Sequence, residues 1–184
     1  MRHGQRTDPV SDGELVRRAR EGDEAAFSGL VREHGESVFR TALSMVSDPD
    51  VAQDVAQETF LKAYRALPGF RGDAAFRTWI LTIAANEARG VLRRSGRRKE
   101  MDIDAGPPIP SEEASPEDGA VMADEAVRAR RVLERLPEKQ RLSIQLRVDQ
   151  GLSFREIGEI IGSSEGAARV NYFHGIRRLR EMME

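Results

Sequence analysis

Apolar residues recur at intervals of three and four along most of the chain, and polar breakers cut that pattern into a series of amphipathic helices. The first is expected to run through Glu14 to Arg20, capped by Ser11 or Asp12 and ended by Gly22 and Asp23. From Glu24 to Val46 the positions Ala26, Phe27, Leu30, Val31, Val38, Phe39, Ala42, Leu43 and Val46 predict one long helix. Ser47-Asp48-Pro49-Asp50 closes it and starts the next, Val51 to Ala66. Pro68 to Asp73 reads as a loop from its breakers. A helix then runs from about Ala75 to Arg94 on Ile80, Leu81, Ala84, Ala88, Val91 and Leu92. The periodicity stops between Met101 and Ala120. It returns over Met122 to Leu136 and over Glu138 to Gln150, where Leu142 and Leu146 lead and Ile144 and Val148 are less central. Two short helices come last, between Gly151 and Met183.

Strand-like alternation with hairpin turns is absent, so the expected class is all-α. The segment MDIDAGPPIPSEEASPEDGA, rich in Pro, Ser, Glu and Asp, reads as a flexible acidic linker between two small helical domains. The expected division is a disordered start over 1–10, an N-terminal domain over 11–98, a linker over 99–120 and a C-terminal domain over 121–184.

The last two helices form a helix-turn-helix pattern. Ser153 and Glu156 make a capping box that starts the first helix at Phe154. Gly162 supplies a left-handed residue to end it, Gly158 leaves room for a close crossing, and Ser163 or Ser164 caps the second helix. On that second helix Ala168, Tyr172, Ile176 and Leu179 fall on the core side. The opposite side carries Val170, Phe173, His174 and Arg177, edged by Arg169 and Arg180 and by Asn171 and Arg178. Arg, Asn, His and aromatic groups on one face can donate to base edges and phosphates in a major groove.

Composition adds exclusions. With 39% hydrophobic and 33% charged residues in 184, the chain is ordinary for a folded helical protein. It has no cysteine, and His3, His34 and His174 do not form a ligand cluster, so no metal and no cofactor are expected. No apolar run is long enough to span a bilayer and the N-terminus lacks a signal-peptide centre, so a cytoplasmic or peripheral protein without membrane insertion is expected. The net charge of -2 is low for a DNA binder, but the charges are segregated. Basic residues gather at Arg89 to Lys99 and Arg169 to Arg180, while Asp102 to Asp124 is acidic. Such a balance argues against strong non-specific DNA affinity of the free chain.

Two further surfaces stand out. On the helix Val51 to Ala66, the buried stripe is Ala52, Ala56, Thr59 and Ala63, flanked by Val55 and Phe60. Opposite lie Asp54, Gln57 and Glu58, with Leu61 among them. An apolar residue inside an acidic and amide face fits a docking surface, and it fits a single exposed leucine equally well. On the helix that begins near Ala75, Thr82, Asn86, Arg89 and Arg93 form a polar stripe with Trp79 at its border. Together with Phe70 and Arg71 in the preceding loop, these residues offer an aromatic for an unstacked base, an amide for its edge and arginines for the backbone. Trp79, beside Ile83 on the wheel, is expected in the core.

In this order the features resemble an extracytoplasmic function sigma factor, the compact two-domain branch of the bacterial sigma factors, over about residues 12 to 183. DPDVAQDVAQETFLKAYRAL is similar to the family's polymerase-docking helix, FRGDAAFRTWILTIAANEAR to its promoter −10 reader, and LPEKQRLSIQLRVDQGLSFREIGEIIG to the entrance of its −35 reader. The resemblance implies a promoter-specificity subunit that binds core RNA polymerase and directs initiation by reading −35 and −10 elements. Asp54, Gln57, Glu58 and Leu61 would contact the clamp helices of the largest polymerase subunit, and the C-terminal domain the flap of the second largest. Phe70 and Asn86 would hold a flipped −10 base, with Arg71, Arg89 and Arg93 on the backbone. Arg169, Val170, Asn171, Phe173, His174 and Arg177 would read the −35 element. The linker would lie in the RNA exit path, and an anti-sigma factor would be a further partner. Two departures are visible: Gly166-Ala167-Ala168-Arg169-Val170-Asn171 replaces the family's common Gly-Thr-Val-Lys-Ser-Arg, and Gly90 stands where a polar residue is frequent.

A stand-alone helix-turn-helix regulator is the alternative, and it would need a dimer helix to read two half-sites. An enzyme would need a nucleophile or a paired-carboxylate metal site. Asp48/Asp50 and Asp102/Asp104 are better explained as cap and linker, so the chain is not expected to be an enzyme.

Overall fold

The computed structural model describes residues 11–102, 132–133 and 135–183. The expected disordered start, the linker from 103 onward and most of the helix expected over 122–136 lie outside the described residues. Among the described residues the regular structure is helical throughout: α1 Asp12–Arg20, α2 Glu24–Val46, α3 Pro49–Ala66, a 3-10 turn Leu67–Gly69, α4 Phe76–Asp102, α5 Glu138–Val148, α6 Phe154–Ile161 and α7 Glu165–Met183.

Local chemistry sets the boundaries. The Asp23 carboxylate accepts from the Ala26 N–H and starts α2, and Ser47 ends it in the left-handed region at φ 62°. Asp48 accepts from the Asp50 and Val51 N–H groups, with Pro49 in the first turn, so α3 begins two residues before the expected Val51. Helix α4 is longer than expected, running to Asp102 rather than Arg94. A stretch of Arg and Lys is compatible with helix once it is attached to a packed stem, whereas apolar periodicity detects only the packed part. Leu92, expected on the apolar side of α4, is exposed.

Helices α1 to α4 pack around Leu30, Val38, Ala52, Ala63, Ile80 and Leu81, all buried. In α2 the inward stripe also takes His34, whose Nε2 lies 3.1 Å from Asp12 Oδ1 and ties α1 to α2. Trp79 is half-buried against this core, as its neighbours on the wheel suggested. The C-terminal helices pack on Leu142, Leu146, Ile157, Ile160, Ile161 and Ala168. Val148, expected as an apolar contact, is 62% exposed at the end of α5.

The capping box forms as expected: the Ser153 hydroxyl accepts from the Glu156 N–H at 3.3 Å and the Ser153 N–H donates to the Glu156 carboxylate at 2.8 Å. Gly162 takes the left-handed conformation at φ 64°. A Cβ on Gly158 would stand 2.8 Å from the Ser163 carbonyl oxygen, so this glycine admits the turn backbone itself. Gly175 in α7 plays a similar part, since a Cβ there would lie 2.7 Å from Ile144 Cδ1 and 3.3 Å from the Gln140 backbone.

The two helical units are packed together. Helix α6 lies on α4 and α5 on α2, and one continuous apolar core runs through both units. Polar contacts line the seam: Gln150 Nε2 donates to Thr41 Oγ1 at 3.0 Å, Thr78 Oγ1 donates to Glu156 Oε1 at 3.3 Å, and Arg89 Nε donates to Glu138 Oε1 at 2.8 Å.

Candidate nucleic-acid and docking interfaces

The outward face of α7 is built as its wheel requires. Ala168 is buried and Tyr172, Ile176 and Leu179 are half-buried, so Arg169, Val170, Phe173, His174 and Arg177 are left exposed. Val170 and Phe173 are 53% and 58% exposed, a large apolar area to leave in water on a helix that could have carried Lys or Glu there. Asn171 is different: it is half-buried, and its Nδ2 donates to the Ala167 carbonyl at 2.9 Å, so part of its amide is already used within the helix. Arg169 is held by Glu165 at 3.1 Å.

On α3 the residues Asp54, Gln57 and Leu61 are exposed and Glu58 is half-buried, while Ala52, Val55, Ala56, Thr59 and Ala63 face the core. Leu61 is 51% exposed and lies outside the buried apolar core. Lys62 steadies this helix by bridging to Glu87 on α4 at 2.6 Å.

The loop after α3 brings Phe70 against Trp79, ring centres 4.8 Å apart, and against Phe76 at 6.0 Å. Beside it is an open cleft of about 270 Å³ between the Gly69 to Ala74 loop and Trp79. Arg71 projects into solvent and pairs with Asp73 at 3.1 Å. Asn86 and Arg93 are exposed on α4. Arg89 is not: it donates to Asn86 Oδ1 at 3.0 Å and to Glu138 of the C-terminal unit, and its Nη2 is buried without a hydrogen-bond partner. The structure thus places Phe70 and Arg71 in the loop beside Trp79, and Asn86, Arg89 and Arg93 further along α4, with Arg89 covered by the other unit. Glu138 carries no sequence signal for this role, because only the tertiary seam brings it to Arg89.

Glu156 serves both the cap and the seam. The Ser153 hydroxyl above all holds its carboxyl below the ordinary glutamate value; burial, second in size, opposes it, and the Ser153 N–H, Thr78 and the Arg77 charge add smaller lowering effects. A group with a depressed folded pKa stabilises at neutral pH and loses that contribution as pH falls through the folded value. Acid titration of the native chain is therefore expected to show a stability loss below the ordinary glutamate range that Glu156→Gln reduces; thermal melts of both proteins between neutral and acid pH check this, and parallel curves would rule it out.

No described helix is long and apolar enough to cross a membrane, and no cluster of metal-ligating groups occurs among the described residues. A helix-turn-helix with an exposed arginine and aromatic face, packed on a second helical unit with an aromatic loop, has the make-up of a DNA-binding class of protein. Comparison with known proteins narrows the class. The sigma-70 region 2 family matches residues 30–98 and the sigma-70 region 4 family residues 132–181. The RNA polymerase sigma-H factor of Pseudomonas aeruginosa is 35% identical over 181 residues, 94% of this chain and 92% of that protein. The ECF RNA polymerase sigma-E factor of Escherichia coli K12 is 38% identical over 189 residues, 97% and 95% of the two chains. Among solved structures, CnrH in complex with the cytosolic domain of CnrY aligns with a TM-score of 0.72 at 26% identity, covering 96% of this chain and 97% of that one. The sigma factor RpoE of Bartonella quintana, solved with the anti-sigma factor NepR, shares the fold at a TM-score of 0.69 and 24% identity, covering 85% and 96%. The chain belongs to the sigma-70 family, in its extracytoplasmic function branch, and is a sigma subunit of RNA polymerase. Members of this family bind core polymerase and promoter DNA and are not catalytic enzymes.

Proposed function

We propose that residues 11–98 dock on core polymerase and read the −10 element, that residues 121–184 read the −35 element, and that docking comes first. Asp54, Gln57, Glu58 and Leu61 meet the clamp helices of the largest subunit, and the C-terminal unit meets the flap of the second largest. Phe70, Arg71, Asn86, Arg89 and Arg93 take the opened −10 strand; Arg169, Val170, Asn171, Phe173, His174 and Arg177 enter the −35 major groove. One observation supports the order of events: Leu61 is open to solvent while Arg89 is held by Glu138. The polymerase-facing surface is available in the closed chain, and the full −10 surface becomes available when the units part. Unstacking a base costs a few kcal/mol, which the complex can supply more readily than this chain with net charge -2. An anti-sigma factor that covered the Leu61 face or the seam would hold the chain silent, and a cytoplasmic site of action follows from the polymerase partner.

Reconstitution tests this reading. The purified chain is combined with sigma-free core polymerase and a promoter library, and new transcripts that depend on both elements are expected. No transcripts, together with tight binding of duplex DNA by a dimer of the chain alone, would favour the stand-alone regulator instead.

A further inference from the structure

Phe154 is the first residue of α6, directly after the Ser153 cap, and it is half-buried against the C-terminal core. A residue at that place could serve the core alone. Its surroundings indicate more. The guanidinium carbon of Arg169 lies 5.3 Å from the centre of the Phe154 ring and that of Arg147 lies 5.0 Å away, both within the range of cation–π attraction. Arg147 is itself fixed, since its Nη1 donates to the Leu152 carbonyl at 2.8 Å. Tyr172 and Phe173 of α7 complete the cluster, with ring centres 5.5 Å and 6.4 Å from Phe154 and 5.3 Å from each other.

Arg169 therefore answers to two constraints from different elements. Glu165 holds it along its own helix at 3.1 Å, and Phe154 holds it from the other helix of the motif. An exposed i, i+4 ion pair orders a long side chain only weakly. Contact with an aromatic ring on a packed neighbour adds a fixed platform, and an arginine that is already aimed loses less freedom when it meets a base edge.

We propose that Phe154 is a positioning residue for −35 specificity: its ring aims Arg169 into the major groove, so that discrimination between −35 sequences depends on a side chain of the first helix of the motif that reads no base itself. This rests on the assignment of the α7 face to the −35 element.

The test uses the full chain in holoenzyme, on promoters with a fixed −10 element and every single base-pair change across the −35 region. Arg169→Ala identifies the base pair that Arg169 reads. Phe154→Leu, which removes the ring but keeps an apolar side chain, is expected to lower discrimination at that same base pair by about fivefold, while Phe154→Tyr keeps it. In an Arg169→Ala background Phe154→Leu is expected to add nothing at that position. Affinity for core polymerase should not change; if Phe154→Leu melts early, Phe154→Met provides the second ring-less variant. The proposal is overturned if the ring-less variants discriminate as the native chain does, if they weaken all −35 sequences uniformly, if their effect persists without Arg169, or if Arg169→Ala changes no −35 preference. A native holoenzyme that transcribes without regard to the −35 sequence would instead remove the assignment on which the proposal rests.

Discussion

Replacing Leu61 with Glu is expected to weaken binding to core polymerase by roughly 30- to 1,000-fold and to leave the fold intact. The magnitude comes from its position. Leu61 is a large aliphatic residue on the exposed face of α3, 51% exposed, with Asp54, Gln57 and Glu58 around it and Tyr64, 44% exposed, one turn further on. An interface residue that acts as a hot spot costs about 2–4 kcal/mol when lost, and each 1.4 kcal/mol is tenfold in affinity. Glutamate adds the cost of burying an unpaired charge against a partner. In the free chain the same carboxylate stays in water, so stability should move by no more than about 0.5 kcal/mol. Fluorescence anisotropy against core polymerase measures the first effect and a thermal melt the second. Native affinity for core would show that the partner does not cover Leu61.

The structure gives that prediction its selectivity, which α3 as a sequence could not. The wheel of α3 put Leu61 opposite Ala52, Ala56, Thr59 and Ala63, but a wheel cannot say whether another element covers the far side. The helical class, the helix-turn-helix with its capping box and Gly162, and the outward set on α7 were legible because each depends on residues within a few positions of one another. The true end of α4, the exposure of Val148 and the burial of His34 were not, since each is decided by what packs beside the helix. His34 did carry a signal: it sits four residues from both Leu30 and Val38, on the inward stripe. Gly175 carried one too, as a glycine inside a helix that otherwise runs without a break.

The seam between the units was the least legible feature, and it bears most on function. An abrupt change to an acidic, Pro-rich composition predicts two domains but not how they meet. Beside the apolar core that runs through both units, the seam carries a few polar contacts, one of them incomplete. Gln150 and Glu156 find hydrogen-bond partners on α2 and α4. Arg89 finds Glu138, yet leaves its Nη2 buried and unsatisfied, which costs about 1–3 kcal/mol relative to a fully bonded group. A phosphate could satisfy more of that guanidinium than one Glu138 contact does. The closed chain thus keeps Arg89, the arginine proposed to meet the −10 backbone, engaged with a carboxylate, where a phosphate would compete.

Glu138→Gln, and more strongly Glu138→Lys, is therefore expected to raise the affinity of the free chain for a single-stranded −10 oligonucleotide by about five- to thirty-fold. The lost contact is a half-buried charged pair, with side chains 21% and 36% exposed, and a value of about 1–2 kcal/mol corresponds to that range. Glu138 also stands in the first turn of α5, where a lysine is disfavoured by about 0.3–1 kcal/mol through the helix dipole. The glutamine variant avoids most of this, so agreement between the two variants separates release of Arg89 from weakening of α5. Arg89→Ala should abolish the gain in both. Small-angle scattering reads the opening directly as a larger radius of gyration at unchanged helicity. If the variants bind the oligonucleotide no better and scatter as the native chain does, the Arg89 to Glu138 pair does not hold the units closed. In that case polymerase would have to meet a −10 surface restrained by other seam contacts, with Gln150 and Glu156 the next to be replaced.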